Sequence, residues 1–193
     1  MAPLSGPILS LDLGKSCGWA FGDRNAKAPE SGVVLLQSKG ETRSSAMGNL
    51  IAFLDGRLRI DKPALIVREA PFTLAAYLKT KNSNDRVRMD YGLHGILEGM
   101  ADRYAVPLEH VYAATVRAYF LGRANMGKRA DTKRAVVERC HLLGLMPRTS
   151  SSDDRADATA TWYWAVSHYG HQHADKLFLF GEKTGGRNAR DRR

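Results

Sequence analysis

The sequence predicts an α/β domain in which a short strand meander comes first and helices then alternate with strands. Three observations carry this expectation. The first third of the chain sets short β-rich runs between Gly, Asn and Pro residues. Farther on, Leu, Ile and Met recur at the three- and four-residue spacing of helices with one apolar face. Between these, Ala64-Leu65-Ile66-Val67 is an unbroken apolar run bounded by charges, as expected of a central strand buried on both faces. At 193 residues and 44% hydrophobic, the chain can build one good core and is short for two, so residues 1–180 read as a single domain.

Each element follows from local residue choice. Ile8 to Leu13, Gly18 to Gly22 and Gly32 to Gln37 are the meander strands, with Gly14 and Gly18 read as bracketing a tight turn. Met47, Leu50, Ile51, Leu54 and Leu58 place a helix over Ser44 to Leu58, which Pro63 separates from the apolar strand. Lys79 to Arg88 is polar and cationic, a loop or helix entry. Leu93, Ile96, Leu97, Met100 and Tyr104 predict a helix from Tyr91 that Pro107 closes, and Leu108 to Ala113 reads as a further strand. Arg117 to Leu121 is a short helix, Asp131 to Leu143 a longer one stopped by Gly144, and a last helix runs from Asp153 to His168. Trp162, Tyr163 and Trp164 pack that helix against the sheet or a partner, and Cys140 and His141 read as structural. His168, His171 and His173 read as capping and solvated residues. Residues 181–193 hold glycines and arginines with almost no apolar residue, a basic tail expected to be disordered.

Charge and carboxylate placement indicate chemistry. The chain carries 29 Lys+Arg against 20 Asp+Glu, a formal net charge of +9, which calls for a polyanionic partner. No long apolar span or polybasic amphipathic helix suggests a membrane, so nucleic acid is the favoured partner. Two cysteines, Cys17 and Cys140, and no leader-like N-terminus fit a reduced, cytoplasmic protein. Against this basic background, Asp12 ends an apolar run, Glu69 closes the central one, and Asp154 and Asp157 lie three apart at a helix start. Burying such carboxylates together is costly unless a cation joins them, and Mg²⁺ takes a few carboxylates plus substrate phosphates. Asp153 is also on one helix face with Asp157, and any acid in a first turn is favoured by the helix dipole alone. Lys128, Arg129, Lys133 and Arg134 crowd another helix start, where cations oppose the dipole unless an anion binds. Asp12-Leu13-Gly14 with Gly18 also suits the phosphate hairpin of actin-like ATPases, but those need two such domains, which one short basic chain does not supply.

In combination, Asp12-Leu-Gly with Gly18, Glu69-Ala-Pro-Phe72 and Asp154-Arg-Ala-Asp157-Ala resemble the RuvC-type Holliday junction resolvases, from about Ile8 to His168. The resemblance implies an RNase H-like fold with a mixed central sheet flanked by helices. It assigns Asp154 rather than Asp153 to a quartet with Asp12, Glu69 and Asp157 that binds two Mg²⁺, with Mn²⁺ as a substitute. It further implies a homodimer that nicks opposed strands of a four-way DNA junction symmetrically by two-metal phosphodiester hydrolysis. Phe72 matches an aromatic that stacks on unpaired junction bases, Lys133 a basic residue near the active site, and Arg117 a position usually filled by lysine. Relaxed cutting of branched DNA, cleavage of RNA:DNA hybrids and non-catalytic junction binding are the alternatives.

Overall fold

A computed structural model describes residues 5–71, 84–124 and 126–170. Strands β1 (Pro7–Asp12), β2 (Ser16–Asp23) and β3 (Glu30–Leu35) form the meander. There follow α1 (Arg43–Ile60), β4 (Leu65–Glu69), α2 (Asn84–Arg103), β5 (Leu108–Val111), α3 (Ala113–Leu121), α4 (Arg129–Leu142) and α5 (Asp153–Gly170). The sheet is mixed and five-stranded in the order β3-β2-β1-β4-β5. β1 pairs antiparallel with β2 and parallel with β4, in the register Ile8 to Leu65 through Leu11 to Arg68. Among the described residues five helices cover this sheet, the mixed α/β architecture expected of an RNase H-like fold.

Alternation along the strands sorts the core into two layers. Leu9 and Leu11 of β1 and Ile66 of β4 point to one face, where Leu50, Leu54, Leu93 and Leu97 of α1 and α2 meet them. Ile8 of β1 and Leu65 and Val67 of β4 point to the other, packed by Val116 and Phe120 of α3, Val136 of α4 and Trp162 and Val166 of α5. Ser10 shares the second face and is fully buried, so its hydroxyl needs a partner. It donates to the Ala158 carbonyl of α5 at 2.7 Å, which ties that helix to the centre of the sheet.

Helix ends largely obey the sequence signals. Thr42 caps α1 by accepting the Ser45 N–H at 3.1 Å, and Ser152 caps α5 by accepting the Arg155 N–H at 3.2 Å. Gly144, at φ +67°, follows the end of α4, where the Leu145 N–H closes onto the Cys140 carbonyl at 2.9 Å. Residues 84–88, read as a loop or helix entry, are already helical, with Asp85 in the first turn of α2. Helix α3 begins four residues before Arg117, and α5 extends past His168, whose ring stacks on Trp164 at 4.8 Å. His168 is thus a stacked helical residue rather than a cap. Trp162 is buried, its indole N–H donating to the Gly22 carbonyl at 3.1 Å. Cys140 and His141 are structural as expected: the thiol contacts the Ala156 carbonyl at 3.7 Å, and His141 Nε2 lies 2.9 Å from the Ser150 carbonyl. No described helix is long and apolar enough to cross a membrane. Lys79, Phe72, His171, His173 and residues 181–193 lie outside the described residues.

Gly18 departs from its reading as a turn residue. It lies within β2, paired with Asp12 of β1. A Cβ placed on it would fall 1.9 Å from the carbonyl oxygen of Asp154. The glycine is required because the first turn of α5 lies against the strand at this point, and no side chain fits between them.

Candidate functional site

Strand parity brings the first two acids together. Asp12 follows Ile8 and Ser10 at a period of two, and Glu69 follows Leu65 and Val67, so both project from the α5 face. They end neighbouring parallel strands just beyond the Leu11 to Arg68 pair. The carboxyl ends of such strands are where open α/β sheets bind ligands. Helix α5 approaches the same edge with Ala156, Ala158 and Ala160 buried beneath it, small residues that let its first turn sit close to the sheet. Asp154 and Asp157 ride on that turn. All four acids line one cleft of about 1240 Å³, together with Arg117, Arg129 and Lys133. That volume exceeds the usual span of small-molecule pockets, up to about 1,000 Å³, and suits a polymer segment.

The acids feel one another. Burial, reinforced by Glu69, Asp157 and Asp154, holds the Asp12 carboxyl well above the usual carboxylate range, with Lys133 opposing. Burial likewise raises Glu69, with Asp157 adding to it and Arg117 working against it. Asp157 is raised by burial despite Arg117 and Lys133 nearby. Its side chain is 12% exposed and its Oδ2 is 3.8 Å from Arg117 Nη2. Burial first, and the neighbouring acids second, therefore disfavour the charged forms of Asp12, Glu69 and Asp157. Among the described residues no three or more carboxylate, imidazole or thiolate side chains are grouped so as to hold a metal ion. The quartet instead lines the cleft as an open set. Its donors are all oxygens, the ligand type that Mg²⁺ takes when it binds a few carboxylates with substrate phosphates.

The cations divide. Arg117 and Lys133 enter the cleft as the sequence suggested, and Arg129 joins them, close enough to act on Glu69. Lys128 and Arg134 do not line it. Lys128 is the exposed residue preceding α4, and Arg134 pairs with Asp131 at 2.7 Å on its outer surface. Sequence reasoning missed Asp90, which lines the cleft from α2 and acts on Glu69. Its only signal was a place one residue after the buried Met89, inside a charged stretch. Lys15, Arg43 and Arg86 also border the cleft. Cys17 is buried beside Asp12 and Asp154, and burial pushes its thiol far up, so it is an inert core residue.

No family model matches the chain, and no curated protein matches it significantly. Solved structures do. RuvC of Thermus thermophilus superposes with a TM-score of 0.60 at 19% identity, over 84% of this chain and 96% of that one. The T. thermophilus RuvC in complex with a Holliday junction substrate gives 0.61 at 16% identity, over 84% and 94%. The yeast mitochondrial Holliday junction resolvase Ydc2 gives 0.54 at 17% identity, over 88% and 83%. At these identities the likeness establishes a shared fold, and that fold is the RuvC, RNase H-like one.

Proposed function

We propose that this chain is a RuvC-type resolvase: a Mg²⁺-dependent, structure-selective endonuclease that cuts four-way DNA junctions by paired symmetrical nicks as a homodimer. The observation that carries the reading is the convergence of Asp12, Glu69, Asp154 and Asp157, from β1, β4 and α5, on one cation-bordered cleft in this fold. A basic chain with net charge +9 offers the attraction to DNA phosphates that such an enzyme needs.

In this reading the quartet would hold two Mg²⁺, with Mn²⁺ as a substitute. Bound metal supplies activation of the attacking water and charge stabilisation at the leaving 3′ oxygen. The side chains of the chain do the rest. Arg117 restrains Asp157 and offsets the charge on Glu69. Arg129 and Lys133 present donors to the phosphates on either side of the scissile bond. Phe72 stacks on bases unpaired at the crossover, and Lys128 and Arg134 contact the backbone farther out.

The test incubates end-labelled four-way junction, linear duplex and RNA:DNA hybrid with the protein in Mg²⁺ or EDTA. Paired nicks confined to the junction, lost in EDTA and in Asp12→Asn and Glu69→Gln, are expected. Preferential cutting of the hybrid would replace this reading with a hybrid nuclease. Tight junction binding with no cutting in any divalent metal would leave a non-catalytic binding protein.

A further inference from the structure

Asp153 begins α5, next to the quartet, yet it does not line the cleft. A first-turn acid ordinarily needs no explanation beyond the helix dipole. Here that explanation is incomplete, because Ser152 already supplies the side-chain cap to the Arg155 N–H. The Asp153 carboxylate is committed elsewhere. Its Oδ1 accepts from the Asp154 N–H at 3.2 Å, which ties its orientation to the helix start. Its Oδ2 is paired with Lys133 Nζ. With the two side chains 42% and 26% exposed, such a pair adds little to stability.

The significance of the pair lies in where Lys133 would otherwise go. Its ammonium sits on a flexible four-carbon stem and reaches into the cleft, where its charge acts on both Asp12 and Asp157. Released, it would settle among those acids and compete with any divalent cation for them. We propose that Asp153 is a positioning residue that holds the Lys133 ammonium at the rim of the cleft, leaving the quartet open to metal and the lysine directed at substrate phosphate. This inference rests on the metal-site reading given above and deepens it. It also accounts for adjacent aspartates with separate tasks, Asp154 facing the metal site and Asp153 facing the lysine.

The test measures Mn²⁺ binding to the full chain by electron paramagnetic resonance, without DNA, in the parent, Asp153→Asn, Lys133→Met and the double variant. Loss of an outer-shell partner typically costs about 10-fold or more in metal affinity. Asp153→Asn is therefore expected to bind Mn²⁺ about 10-fold more weakly, on the same principle, and to show no such loss when Lys133 is already Met. Asp153→Ser retains a residue suited to a helix start and provides the same comparison if asparagine disturbs folding. Parent-like affinity in Asp153→Asn and Asp153→Ser would overturn the inference. So would an equal loss with and without Lys133, which would make Asp153 a helix-start residue only. A parent that binds no Mn²⁺ would instead sink the metal-site reading, and this inference with it.

Discussion

Replacing Gly18 by alanine adds one methyl group to a β-strand, a small change in most sheets. In this chain that methyl would lie 1.9 Å from the Asp154 carbonyl oxygen and 2.4 Å from its carbonyl carbon. The obstacle is backbone, so no side chain can swing aside. Real contacts of this kind essentially never fall below 3.0 Å, so β2 and the first turn of α5 must separate by at least 3.0 − 1.9 = 1.1 Å. Asp154 belongs to the turn that moves, whereas Asp12, paired with Gly18, belongs to the sheet. Asp154 therefore moves away from Asp12. A misplacement of about 1 Å in a catalytic constellation costs on the order of 10²-fold in rate. Overpacking adds a stability loss of about 1–3 kcal/mol, or roughly 2–4 °C of melting temperature per kcal/mol for a domain of this size. The assay is single-turnover junction cleavage at a temperature well below melting, beside a thermal melt. Gly22→Ala is the control. It inserts a methyl on the same strand, 3.2 Å from Pro29 and 3.3 Å from the Trp162 ring, well along α5 from the quartet. It should lower the melting temperature with little effect on cleavage. If Gly18→Ala cuts at the parental rate, the close approach of α5 does not set the site.

The remaining predictions concern the charges and the base contact. Asp12→Asn should abolish Mg²⁺-dependent cleavage, by about 10³-fold or more, equivalent to roughly 4 kcal/mol of barrier. It should also raise the neutral-pH melting temperature of the metal-free protein, because a carboxyl held above its ordinary range stabilises the fold at low pH and loses that contribution as pH rises. A melting temperature that falls would contradict the charge crowding described for the cleft. His94, buried and pushed down to about 4 by burial and by Arg68, should act in the opposite sense. Its contribution is full above about pH 6.5 and lost as pH falls towards 4. The stability difference between parent and His94→Gln should shrink by about 3 kcal/mol between pH 7 and pH 4, measured by urea titration. A pH-independent difference would mean that the imidazole is not held neutral. Phe72→Ala should slow junction cleavage by the loss of about 1–3 kcal/mol of base stacking while leaving metal binding intact. Equal cleavage by parent and variant would remove Phe72 from the DNA contact.

What the sequence revealed and what it concealed separate by distance along the chain. The apolar runs Ile8 to Leu11 and Ala64 to Val67 are local, so these strands and the acids that end them could be read directly. Arg68 shows the opposite. It stands after an apolar run, where it looks like a bounding charge, yet it is only 6% exposed. Burying a guanidinium demands partners. They come from α2, the His94 carbonyl at 3.1 Å and Glu98, neither of which any spacing rule connects to β4. Gly18 was similarly opaque. Local rules make a glycine near a turn a turn residue, and the constraint on it comes from Asp154, which reaches it only through the tertiary fold.

The choice between Asp153 and Asp154 shows how the two levels combine. Helical spacing admits either residue beside Asp157, since three and four residues both return to the same face. Resemblance favoured Asp154, and in the structure Asp154 lines the cleft whereas Asp153 does not. Asp154 is the residue whose carbonyl abuts Gly18, the cross-strand partner of Asp12, so it stands where the helix touches the strand carrying the first acid. Its charge is among those that raise Asp12. Asp153, one residue earlier, is rotated about 100° around the helix and meets Lys133 of α4 instead. A one-residue slip at the start of α5 would put Asp153 in the place of Asp154 and leave Ser152, which carries no charge, against the lysine. Gly18, by carrying no side chain, sets how closely the helix bearing Asp154 and Asp157 approaches the sheet.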